Sequence, residues 1–274
     1  MKFQVKALVA ALALSAATIP AHAAMTFATS GSSSLILTLL DFNSNTSATF
    51  DLGYGYDSFQ SLVVDAHTNG TISADGLSKT FAFDVAGGDY ANAWSSFWST
   101  ASASTTKWAI YAADGTGTGA GARGIISTYK SGANLTNSNQ LQTSVANFNS
   151  YMTNNNALDN HNAVDNGASL VTSNLSQAYA GRAVAYGSTG RINGQGHVSM
   201  DNLDSSMTVV QQLTGATAAS PVAFNTLGLN GNFQFKMTSG GLLEFVVPVP
   251  EADSYAMLLA GLGVVGLVAR RRKA

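Results

Sequence analysis

The chain has 274 residues, no cysteine, 10% charged residues and a net charge of −2. The lack of cysteine excludes disulfides, thiolate metal sites and cysteine nucleophiles. Between Ala24 and Val249 there are 7 basic and 13 acidic residues, a net −6 that excludes a basic nucleic-acid groove and leaves the remaining cations at the two ends.

The N-terminal stretch MKFQVKALVAALALSAATIPAHA has basic Lys2 and Lys6, an apolar run from Ala7 to about Ala17, and a small-residue exit after Pro20. Ala21-His22-Ala23 fits a signal-peptidase site, so residues 1–23 read as a signal peptide and Ala24 as the mature start. Signal peptidase is the first expected partner. An exported body of this length, residues 24–247, buries a core without disulfides.

The body alternates with the period of half-buried strands. SLILTLLD (34–41) and SATFDLG (47–53) read as a hairpin turning at Asn43-Ser44-Asn45. TFAFDV places Phe81, Phe83 and Val85 on one face, and KWAIYA does the same with Trp108, Ile110 and Ala112. GTGTGAGARG (115–124) contains a G-x-G-x-x-G match at Gly119 to Gly124. IISTYK follows as a strand, not a phosphate-binding helix, so the glycines read as a hairpin loop. NFQFKM (Phe233, Phe235, Met237) and LLEFVV (Leu243, Phe245, Val247) form a last hairpin around Thr238 to Gly241. Two segments have helical spacing instead: Trp94, Phe97 and Trp98 in DYANAWSSFWSTAS, and Leu141, Val145, Phe148 and Met152 in NSNQLQTSVANFNSYM. Thr153 to Gly167 reads as a loop. The expected fold is mainly β, a sandwich or jelly roll with one or two short helices.

Catalytic constellations are not evident. His67, His161 and His197 lie in turn-like contexts without metal-ligand spacing and read as solvated loop residues. Asp57, Asp65, Asp75, Asp89, Asp114, Asp159 and Asp165 fall in Asn- and Gly-rich turns, where Asp caps the backbone. A calcium site from Asp159, Asp165 or Asp201 with Asp204 is the weaker reading, and no cofactor is expected. Paired aspartates serve glycoside hydrolysis, and Tyr54, Tyr56, Tyr90, Trp94, Phe97 and Trp98 are candidates for a sugar platform, although core packing accounts for the last three equally well.

The C-terminus begins with Pro248 and Pro250, which hold the chain extended and open to a peptidase. Ser254 to Ala269 is an apolar run of 16 residues, about 24 Å as a helix. That is a short membrane span, helped by snorkelling of Arg270, Arg271, Arg272 and Lys273, which stay cytoplasmic while the body lies outside. Its GLGVVG (261–266) matches a dinucleotide fingerprint only in letters, because an apolar run surrounds it.

This tail resembles the PEP-CTERM sorting signal of exported bacterial proteins. The resemblance rests on Val249, Pro250 and Glu251, on the Gly-containing helix from Tyr255 to Ala269, and on Arg270 to Lys273. Ala252 stands where the motif usually has its second proline. The resemblance implies processing near Pro250 to Ala252 by an exosortase-type membrane transpeptidase or protease, in bacteria that make extracellular polysaccharide. It also implies transient anchoring in the inner membrane, followed by display on the cell surface or in the extracellular matrix. The body reads as a non-enzymatic surface or biofilm-matrix component that meets exopolysaccharide; the alternative is a carbohydrate-binding or carbohydrate-processing domain.

Overall fold

The computed structural model describes residues 24–68, 81–130, 137–181, 198–227 and 233–246. Strands β1 (Ser34–Asp41) and β2 (Thr46–Gly55) form the first hairpin, and α1 (Tyr56–Thr68) follows directly. Next come β3 (Ala82–Asp84), α2 (Ala91–Trp98), β4 (Lys107–Asp114), β5 (Gly124–Tyr129) and the long α3 (Ser138–Asn156). The chain continues through β6 (Ala168–Val171), β7 (Asp201–Asn202), β8 (Ser206–Leu213), β9 (Ala223–Thr226), β10 (Gln234–Met237) and β11 (Leu242–Val246).

All eleven strands belong to one antiparallel sheet, curled as a half-barrel, in the order β3-β11-β10-β8-β5-β4-β1-β2-β6. The shorter β7 and β9 pair beside β4 and β8. The mainly β class is as expected, but the sandwich or jelly roll is not: its second layer is supplied by helices and by the curl of the same sheet. The physical reason lies in the central strands. β1 is buried along all eight residues, because Leu35, Leu37 and Leu39 enter one core while Ile36 and Leu40 enter another. A strand buried on both faces reads as a continuous apolar run, as SLILTLLD does. In β4 the expected Trp108, Ile110 and Ala112 share one face, and Ala109, Tyr111 and Ala113 occupy the other.

The inner core is aromatic. Phe59 of α1 meets Phe81, Phe233 and Phe235 at ring-centroid distances of 5.3, 5.6 and 6.2 Å. The first two pairs are edge-to-face and the third is stacked, and such aromatic pairs add about 0.5–1.5 kcal/mol each beyond the area they bury. Tyr56, Phe59 and Val63 form the buried stripe of α1, which makes a third helix beyond the one or two expected.

The outer core lies under α3, which buries Leu141, Val145, Phe148, Tyr151 and Met152 against the opposite face of the sheet. Small Ala109 and Ala113 flank Tyr111, whose ring lies 3.9 Å from that of Phe148. Asparagine is a poor helix former, yet α3 is rich in it. The amides dock neighbouring chain. Asn156 accepts from the Met25 N–H and donates to the Met25 carbonyl, both at 2.9 Å, while Asn149 accepts from Ala28 N–H at 2.8 Å. Asn137 caps the N-terminus by accepting from Gln140 N–H at 3.0 Å. These contacts carry α3 to Asn156, so the expected loop is shortened to residues 157–167.

Both expected hairpin turns are present. Asn45 at φ 52° closes β1–β2, and Gly241 at φ 99° closes β10–β11, where a Cβ would sit 2.5 Å from Ala86 Cβ. The glycine loop joins β4 to β5 as a hairpin, as its sequence predicts.

Candidate functional site

Two places on the chain bear on function, a polar groove beside the loop 157–167 and the C-terminal tail. The groove is built where the end of β2, the β3–α2 connection, α2 and the loop 157–167 come together. It comprises three adjoining depressions. The first, about 350 Å³, is lined by Ser34, Asp51, Tyr54, Asp165 and Asn166. The second, about 270 Å³, shares Asp165 and Asn166 and adds Asp84, Asp89 and Tyr90. The third, about 240 Å³, shares Asp89 and adds Asn92, Ser96, Asp159 and Asn160.

The loop holds its shape through left-handed residues and side-chain contacts. Asp159 and Asn166 have φ of 49° and 56°, and the Asn166 amide lies over Gly53, where any Cβ would meet it at 2.9 Å. Asn160 accepts from Ala168 N–H at 2.7 Å and donates to the Asp89 carbonyl at 2.8 Å. Asp159 accepts from Leu170 N–H at 2.5 Å. Asp51 is almost fully buried; its carboxylate accepts from Ser34 Oγ at 2.9 Å and from Gly53 N–H at 3.0 Å. Burial pushes its carboxyl above the ordinary value, against the lowering effect of those two bonds. Tyr90 donates its hydroxyl to the Asp51 carbonyl and sets its ring edge-on to Phe50.

The expected aromatic platform divides. Tyr56 and Phe97 are buried in the core, where Tyr56 OH accepts from Gln211 Nε2 at 2.8 Å. Trp94 and Trp98 are half-buried and pack edge-to-face at 5.2 Å. Only Tyr54 and Tyr90 of that set line the groove.

His161 corrects the expectation of a solvated loop residue. It is 1% exposed, because the loop folds its ring under β6 beside Gly167, where a Cβ would come within 2.6 Å of His161 Cα. Ser169 Oγ donates to Asn155 Oδ1 at 2.7 Å, so the 3.2 Å contact between Ser169 Oγ and His161 Nε2 is a bond donated by the imidazole. That fixes the Nε2–H tautomer and leaves Nδ1 buried without a partner. Burial lowers the imidazole pKa to about 4. His67 falls within α1, and His197 lies outside the described residues.

Of the aspartates expected to cap turns, Asp114 accepts from Thr116 N–H and Asp159 from Leu170 N–H, whereas the Asp89 carboxylate caps nothing among the described residues; Asp84 and Asp204, not expected in that role, accept from Ala86 N–H and Ser239 N–H. Asp201 pairs with Lys130 at 2.9 Å, well away in sequence and fold from Asp159 and Asp165. Among the described residues no three His, Asp or Glu side chains gather as a metal site.

The processing residues expected from the sequence, Ala21 and Ala23 at one end and Val249 to Ala252 with Arg270 to Lys273 at the other, lie outside the described residues. Ala24 is described, at the rim of the first depression. Among the described residues no helix is long and apolar enough to cross a membrane.

The tail is identified by comparison. Residues 248–273 match the PEP-CTERM protein-sorting motif. The chain therefore carries the sorting motif of exported proteins that exosortase processes and anchors at the cell surface. No curated protein and no solved structure matches the chain.

Proposed function

We propose that this chain is a non-enzymatic component of the bacterial surface or extracellular matrix, exported by its N-terminal signal and released from the membrane by an exosortase. The observation that carries this reading is the PEP-CTERM motif at 248–273, joined to a β-rich body with two buried cores. Signal peptidase removes residues 1–23, and residues 254–269 hold the body transiently at the outer side of the inner membrane. Recognition centres on Val249, Pro250, Glu251 and Ala252, and the basic cluster stops translocation.

A second reading, carbohydrate binding by the body, is favoured by the polar groove. Mass spectrometry of the cell-surface form tests the first reading. The expected N-terminus is Ala24, with cleavage near Pro250 to Ala252. A surface form that keeps ARRRKA would overturn it.

A further inference from the structure

We infer that the groove beside the loop 157–167 is a binding site for a neutral, hydroxyl-rich polysaccharide segment, and that Asp89, Asn92 and Asn166 are its principal hydrogen-bonding residues. The inference deepens the second reading above, and it rests on the first only for access to an extracellular ligand.

Shape comes first. Small-molecule pockets usually enclose about 300–1,000 Å³ in one concavity. Here three shallow depressions of about 350, 270 and 240 Å³ run into one another through shared walls at Asp165, Asn166 and Asp89. A succession of small, open seats suits an extended chain whose units repeat.

Chemistry narrows the chain. Among the described residues no lysine or arginine lines the depressions, whereas Asp51, Asp84, Asp89, Asp159 and Asp165 do, so an anionic polymer is repelled. A cationic polymer fits less well than that acidic count implies. Asp51 is buried with its oxygens engaged by Ser34 and Gly53, and Asp84 and Asp159 each give an oxygen to a backbone N–H. Among the described residues, the Asp89 carboxylate, the amides of Asn92 and Asn166 and the hydroxyls of Thr26 and Ser96 line the depressions without a hydrogen bond to protein. A carboxylate accepts, whereas an amide both accepts and donates. Hydroxyls, which also do both, match that mixture; an ammonium group, which only donates, has a partner in the Asp89 carboxylate and the amide oxygens but none in the amide N–H groups, which a hydroxyl must still meet. Tyr54 and Tyr90 add aromatic surface for the C–H faces of sugar rings. The site is also prebuilt: the left-handed Asp159 and Asn166 are held by the Leu170 contact and the Gly53 seat, so little ordering is needed on binding.

The test is affinity electrophoresis of the full chain in mild detergent. The gels contain the neutral and acidic fractions of the producing cell's own extracellular polysaccharide, a neutral glucan, polygalacturonate or a chitosan oligomer. Retardation is expected with a neutral fraction or glucan and not with polygalacturonate. The exposed pair Asp89→Ala/Asn92→Ala should weaken it at least tenfold, and Asn166→Gly, which keeps the left-handed backbone, should weaken it further. Unchanged urea midpoints would establish that the variants fold. Failure of every neutral glycan to retard the chain, retardation by chitosan alone, or equal retardation of the variants would overturn the inference. None of these results would touch the sorting reading, which fails only on the termini of the surface form.

Discussion

Acidification should destabilise this protein through His161, and the effect can be sized. The folded imidazole has a pKa of about 4, lowered by burial, against 6.5 for an ordinary histidine. Between those values the unfolded chain binds a proton that the folded chain refuses. The His161 contribution is therefore fully present above pH 6.5 and is lost as pH falls through the window to 4. The loss is roughly 1 kcal/mol at pH 5.5 and about 3 kcal/mol once pH 4 is reached. Below that the folded state takes the proton too, and the loss levels off. Asp51 works in the opposite direction, because its raised pKa lets the folded state bind a proton first as the pH falls. The two are separated by His161→Phe, which fills the ring's space and cannot titrate. Urea unfolding at pH 7, 5.5 and 4.5, followed through buried Trp108, should show the wild type losing more stability than the variant across the window. Parallel losses in the two proteins would refute the reasoning, since His161 would then be free to protonate in the folded state.

Three further outcomes can be measured, two of them resting on single contacts. Asn156→Ala leaves the buried Met25 N–H and carbonyl without partners and should cost about 2–4 kcal/mol, read as a lower urea midpoint. Gly241→Ala forces a side chain onto a left-handed backbone against Ala86 and should cost about 1–3 kcal/mol in thermal unfolding. In the tail, exchanging Arg270 to Lys273 for serine should let the body pass into the medium uncut, whereas Glu251→Ala should leave uncut protein in the membrane; fractionation and blotting distinguish them.

Local alternation made several strands legible. Trp108, Ile110 and Ala112 alternate cleanly, and their face is the one found. α1 was hidden because Tyr56, Phe59 and Val63 begin directly at the end of β2, with no break in pattern to mark a helix start. β8 was hidden by Gln211 and Gln212, which look solvent-facing in sequence. Both are buried, and Gln211 holds the Tyr56 hydroxyl from across the fold. His161 misled for a similar reason: its neighbours are polar, and only the fold of the loop places its ring under β6. The groove had no local signature, since its walls come from around residues 51, 84–92 and 159–166, which only tertiary structure brings together. The tail was legible because its parts are contiguous.

The side chains of Asp159 and Asn160 have one more consequence. Among the described strands β6 ends the sheet, and the backbone N–H groups of Ala168 and Leu170 that face away from β2 are the ones these two residues engage. An unprotected terminal strand is a template on which another copy can add its own strand. A protein concentrated on a cell surface is exposed to that hazard. Here a newcomer must first displace two side-chain acceptors, each net bond being worth on the order of 0.5–3 kcal/mol. The loop therefore blunts this margin against strand addition by another copy.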